Sequence, residues 1–105
     1  MNTTAPNIAA ADRHRQRALD ALANLTTSDL FAIADALDMA AKADARDIAA
    51  ADARAAQQGR SRHSDGSYMG QHRSTTEKRD RAPHMAAARR AITTAISCTY
   101  MADRD

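Results

Sequence analysis

The chain has no valine and no tryptophan, and its 105 residues include only one phenylalanine, two tyrosines and three glycines. These absences exclude a sandwich, a barrel or a doubly wound sheet, which draw on β-branched and aromatic residues. Cysteine occurs once, as Cys98. One cysteine cannot build an internal disulfide framework, and the expected compartment is the reducing cytoplasm. No apolar run approaches the ~20 residues that cross a bilayer, so no membrane segment is expected. The stretch 1–12 has no basic region followed by an apolar one, so no secretory signal is expected. Glutamate occurs once and lysine twice, while arginine and aspartate carry almost all the charge. With the alanine content, that bias has the form of codon usage in a GC-rich genome and points to no mechanism.

What is present is alanine, the strongest helix former. It accounts for 27 of the 46 apolar residues and leaves only 19 larger ones. The fold class that follows is all-α with a thin core. At ~1.5–3 kcal/mol per buried large side chain, set against about 1–2 kcal/mol per residue of backbone ordering, such a chain is expected to be a marginal monomer. It would gain stability from a partner or from its own copies.

Three helices are legible. Residues 1–7 read as irregular, with Pro6 or Asn7 opening a helix over about 8–24. Its stripe is Ile8, Ala11, Ala18, Leu19 and Leu22, at the spacings of one helical face, with Arg15 inside it. Leu25 to Asp29 is a boundary. Thr27 or Ser28 is the expected N-cap, and Asp29 in the first turn suits the helix dipole. The second helix spans about 28–57, with Leu30, Ile33, Ala34, Leu37, Ala41 and Ile48 on one face. The short turn predicts that these two helices form an antiparallel hairpin. Residues 59–74 read as a flexible basic loop, with Asp65-Gly66 as a turn dipeptide. The third helix has two readable starts. Ser74 and Glu77 make a capping-box pattern that would place Pro83 inside the helix; alternatively it begins near Asp80, with Pro83 in its first turn. Either way it runs to about Met101. The expected organisation is a helical hairpin over 1–58, the loop over 59–74, and a C-terminal helix and tail over 75–105.

Charge is uneven. Residues 1–58 hold six basic and eight acidic side chains, and residues 59–105 hold nine and five. The segment 60–90 is the most suggestive. Arg60, Arg62, Arg73, Lys78, Arg79, Arg81, Arg89 and Arg90 could neutralise phosphates, and Tyr68 could stack on a base. The plainer reading is a solvated loop and a charged helix face, since Glu77 and Asp80 interrupt the run. No helix-turn-helix, zinc-finger or RNA-recognition signature accompanies it.

Other chemistry has less behind it. His63, Asp65, His72, His84 and Cys98 match no standard metal-ligand spacing, and no metal or cofactor is expected. His14 and Cys98 form no recognisable nucleophile and base, and the aspartates of the second helix are scattered around it. No catalytic residues are expected, and the chain reads as a non-enzyme. Arg15 and Asp44, each in an otherwise apolar stripe, are candidates for an ion pair across the expected hairpin. Phe31 and Met39 lie off the main stripe of the second helix and are the candidate partner-binding residues, facing either the third helix or another chain.

The function expected from the residues is a small non-enzymatic interaction or accessory protein that binds a protein partner or its own copies through helical surfaces. Its size and lack of motifs are analogous to those of small proteins carried by mobile elements or phages. The alternative is a nucleic-acid-binding accessory protein working through the arginine-rich segment 60–90.

Overall fold

A computed structural model describes the backbone of residues 5–104 and the side chains of residues 8–102. It has three helices: α1 over Ala5–Ala23, α2 over Thr27–Gln57 and α3 over Arg73–Arg104. The all-α, three-helix class expected from alanine content and apolar spacing is the class observed. Among the described residues, no helix is long and apolar enough to cross a membrane. Of the segment 1–7 read as irregular, residues 5–7 belong to α1 and the rest lies outside the described residues.

The pairing of helices differs from the expected one. The antiparallel hairpin is made by α2 and α3, and among the described residues α1 packs on neither. Two packed helices lie ~8–10 Å apart, yet the described chain extends 55 × 50 × 18 Å. The second of those lengths requires α1 to project sideways from the hairpin. The reason lies in what each helix offers α2. Helix α1 offers three large apolar side chains, Ile8, Leu19 and Leu22, in a stripe that Arg15 interrupts. Helix α3 supplies Met85, Ile92 and Ile96, all half-buried, and a row of cations that matches the aspartates of α2.

The hairpin core is thin, as the composition implies. Its buried apolar residues are Leu30, Ala34 and Ala55, joined by the buried polar residues Asp44 and Thr75. Leu37, Ile48, Met85, Ile92 and Ile96 line the same seam at intermediate burial. Alanine lets the helices approach closely but contributes little apolar surface.

Local chemistry sets the helix ends. Thr26, not Thr27 or Ser28, is the N-cap of α2. The Asp29 backbone N–H donates to Thr26 Oγ1 at 3.1 Å, and the Thr26 N–H donates to Asp29 Oδ2 at 2.9 Å. This reciprocal pair is a capping box with aspartate in the role usually taken by glutamate. At the other end, Gly59 N–H donates to Ala56 O and Arg60 N–H to Ala55 O, at 3.1 Å each. These are the two bonds of a Schellman motif, and the left-handed backbone it needs is supplied by Gly59 at φ +67°.

Helix α3 takes the earlier of its two starts, so Pro83 lies inside it. The S-x-x-E pattern does not cap it. The Ser74 N–H donates to His72 Nδ1 at 3.1 Å, so the His72 ring accepts in the first turn. Glu77 instead accepts from Arg73 Nε at 3.0 Å.

Candidate interaction surfaces

The first constellation is a ladder of cross-helix ion pairs. Arg89 reaches Asp38 at 3.1 Å, Arg81 reaches Asp44, Lys78 reaches Asp47 at 2.8 Å, and Arg79 reaches Asp52. The aspartate numbers rise along α2 as the partner numbers fall along α3, apart from the neighbouring pair Lys78 and Arg79. Successive helical residues point ~100° apart, which lets those two reach opposite flanks of α2. Asp52 also accepts from Gln71 Nε2 at 3.0 Å, and Gln71 Oε1 accepts from Arg79 Nε at 3.2 Å, which ties the end of the loop to the seam. Exposed ion pairs contribute only ~0–1 kcal/mol each. Their main effect here is on register and on the choice of partner helix.

Asp44 differs from the other three because it is buried. Arg81 grips it with two hydrogen bonds, Nε to Oδ2 at 2.7 Å and Nη2 to Oδ1 at 2.6 Å. That guanidinium holds the Asp44 carboxyl below the usual carboxylate range, against the opposing effect of desolvation, and the carboxylate in turn raises Arg81. The expected Arg15–Asp44 pair is therefore not formed. Asp44 is taken by Arg81, while Arg15 sits on the projecting helix and pairs locally with Asp12 at 3.3 Å.

The arginine-rich segment is largely occupied. Of its eight cations, Lys78, Arg79, Arg81 and Arg89 belong to the ladder, and Arg73 pairs with Glu77 within α3. Arg60 and Arg62 brace the loop from within. Arg60 Nη1 donates to Gly70 O at 2.6 Å. The Arg62 guanidinium lies 4.4 Å from the centre of the Tyr68 ring, and its Nη2 donates to the Tyr68 hydroxyl at 2.6 Å. Arg90 is exposed and makes no ion pair among the described residues. The loop itself is a small hairpin. Arg62 and Tyr68 form an antiparallel bridge, Met69 N–H donates to Ser61 O, and Asp65 accepts from the Ser67 N–H and hydroxyl. Those two bonds from Ser67 lower the Asp65 pKa.

The candidate partner residues separate. The Phe31 ring stands edge-on to Tyr100, centroids 6.3 Å apart and planes at 76°, so it contacts α3. Met39 is 72% exposed and lies beside Lys42, Ala45 and Arg46. Cys98 and His14 are exposed on different helices, α3 and α1. Among the described residues, no three His, Cys, Asp or Glu side chains gather in a geometry that would hold a metal ion.

Among the described residues, two further apolar surfaces stand open. One is the stripe of α1, where Ile8, Leu19 and Leu22 are all more than half exposed. The other is a groove of about 290 Å³ along one side of the α2–α3 seam, walled by Leu37, Ala41, Ala45 and Ile48 of α2 and by Ala82, Met85 and Ala86 of α3. Neither opening is visible in the residue pattern, because a stripe looks the same whether or not another helix covers it. The signal for the ladder was available as the opposite charge of the two halves.

No family model, curated protein or solved structure matches the chain.

Proposed function

We propose that the chain is a non-enzymatic interaction protein whose α2–α3 hairpin is the scaffold and whose α1 is the contact element. One observation carries this reading: a 19-residue helix presents its whole apolar stripe to solvent in a chain with few large apolar residues. An amphipathic helix is stabilised chiefly by burying that stripe, since propensity alone leaves short helices marginal in water. The ladder supports the same reading from the other side. It commits Lys78, Arg79, Arg81 and Arg89 of α3 to α2, leaving the nucleic-acid alternative with Arg60, Arg62, Arg73 and Arg90.

Affinity capture from source-cell lysate tests the reading, with the tagged chain and its Leu19→Asp/Leu22→Asp variant run with and without nuclease. The expected result is one protein, a foreign one or an untagged copy of this chain, held near stoichiometrically by the wild type, resistant to nuclease and lost with the variant. Capture indifferent to the variant, or lost on nuclease treatment, would overturn it.

A further inference from the structure

We propose that α1 of one copy docks in the α2–α3 groove of a second copy, so that two chains exchange arms and each groove is filled by its partner's helix. This rests on α1 being the contact element and adds the identity of the occupant.

The groove can take most of the arm's apolar stripe. From Leu37 to Ile48 the wall runs ~17 Å, and from Ile8 to Leu22 the stripe runs ~21 Å, at about 1.5 Å per residue. Small residues at 41, 45 and 82 leave the room that side chains as large as Leu19 and Leu22 need to interdigitate.

Charge agrees. The one charge inside the α1 stripe is Arg15, and its present partner, Asp12, is an exposed neighbour on the same helix. Asp38 lines the groove. Its side chain is 48% exposed, and its bonds from Arg89, 3.1 and 3.3 Å long, leave acceptor capacity for a second guanidinium.

Among the described residues α1 packs on neither α2 nor α3 of its own chain, which leaves the groove to another copy. The N–H of Asn24 donates to Ala21 O, that of Leu25 to Leu22 O, and that of Thr26 to the Asp29 carboxylate. Each N–H in the connection is thus satisfied with α1 projecting outward. Area points the same way. A stable interface buries about 800 Å² per partner. One arm with three large apolar side chains falls short of that, and a reciprocal exchange doubles it, as in other swapped dimers.

Sedimentation of the full chain over a range of concentrations tests this, together with three further samples: an arm variant (Leu19→Asp/Leu22→Asp), a groove variant (Ala41→Glu/Ala45→Glu, both exposed in the single chain) and their equimolar mixture. The expected result is a wild-type dimer. Each variant alone should dimerise at least about a hundredfold more weakly. The mixture should associate more strongly than either variant alone but more weakly than the wild type, because the groove variant's arm meets the arm variant's intact groove and only that one of the two contacts is restored. Helix content measured on each variant separates lost docking from lost folding. A monomer at all concentrations, a dimer insensitive to either variant, or a mixture that associates no better than either variant alone overturns the proposal. If the chain is monomeric but Leu19 and Leu22 still govern capture of a foreign protein, the exchange falls and α1 stands as the contact element. If capture ignores them too, both fall.

Discussion

The Asp44 carboxylate, buried in the middle of α2, is held at both oxygens by the guanidinium of Arg81 across the hairpin. Thirty-seven positions separate the two residues. The arrangement is bidentate and planar, the form in which an arginine–carboxylate pair is most specific. It sits at the centre of the ladder, flanked by more exposed pairs that the solvent screens.

Breaking this pair should matter more than breaking its neighbours. Asp44→Ala is expected to lower the unfolding temperature further than Asp38→Ala or Asp47→Ala, because it leaves Arg81 without its partner at the buried rung. Arg81→Lys should recover only part of the loss seen in Arg81→Ala, since an ammonium cannot make the two parallel bonds. Thermal melts of the five variants check both statements.

Acid should weaken the fold in a narrow window. Asp44, Asp29 and Asp65 are all lowered from an ordinary value of 3.8, by hydrogen bonds from Arg81, Thr26 and Ser67 respectively. A carboxylate lowered in the folded chain adds stability that is fully present above its unfolded value. That stability is lost as the pH falls through the folded value. The unfolding temperature should therefore hold steady toward pH 5 and decline below about pH 4. Asp44→Asn should already be less stable at pH 7 and should show a shallower acid decline.

Burial predicts a contrast along α2. Leu30 is 6% exposed and Met39 is 72% exposed. Leu30→Ala should cost about 2–3 kcal/mol, toward the lower end for a buried leucine because the thin core can collapse around the gap. Met39→Ala should stay within about 0.5 kcal/mol. Urea unfolding of both variants, compared at equal slope, checks the contrast.

The two ends of α2 give a further pair. Thr26→Ala removes the side-chain half of the capping box and should cost about 1 kcal/mol. Gly59→Ala meets no neighbouring atom within 4 Å, so its effect is purely that of a left-handed backbone. It should also cost about 1 kcal/mol. Substantially unchanged stability in either variant would mean that the corresponding cap is not formed in solution.

Much of this architecture was written locally in the residues. The helices at 8–24 and 28–57, the boundary at 25–29 and the break after Gln57 could all be read from alanine content, apolar spacing, a threonine–aspartate cap and a glycine. Each of those features acts within a few residues of itself. Local rules also missed by small steps. The cap moved to Thr26 because Asp29, three residues on, completes the reciprocal bond. Ser74 and Glu77 were left without a capping role once His72 accepted the first-turn N–H.

What no local pattern decided was which helices pair. The stripe of α1 looked as able to cover α2 as the face of α3, and its short connection to α2 favoured it. Tertiary structure chose α3, because pairing there places Asp38, Asp44, Asp47 and Asp52 against cations that lie 27 to 51 positions away. The charge imbalance between the halves hinted at that attraction, but not at its register. Three helices and a thin alanine-rich core follow from the residues alone, since propensity and capping act over a single turn. That Lys78, Arg79, Arg81 and Arg89 serve α2 while α1 stands clear with its apolar face open emerges in three dimensions alone, since both depend on which distant charges and side chains can meet at once.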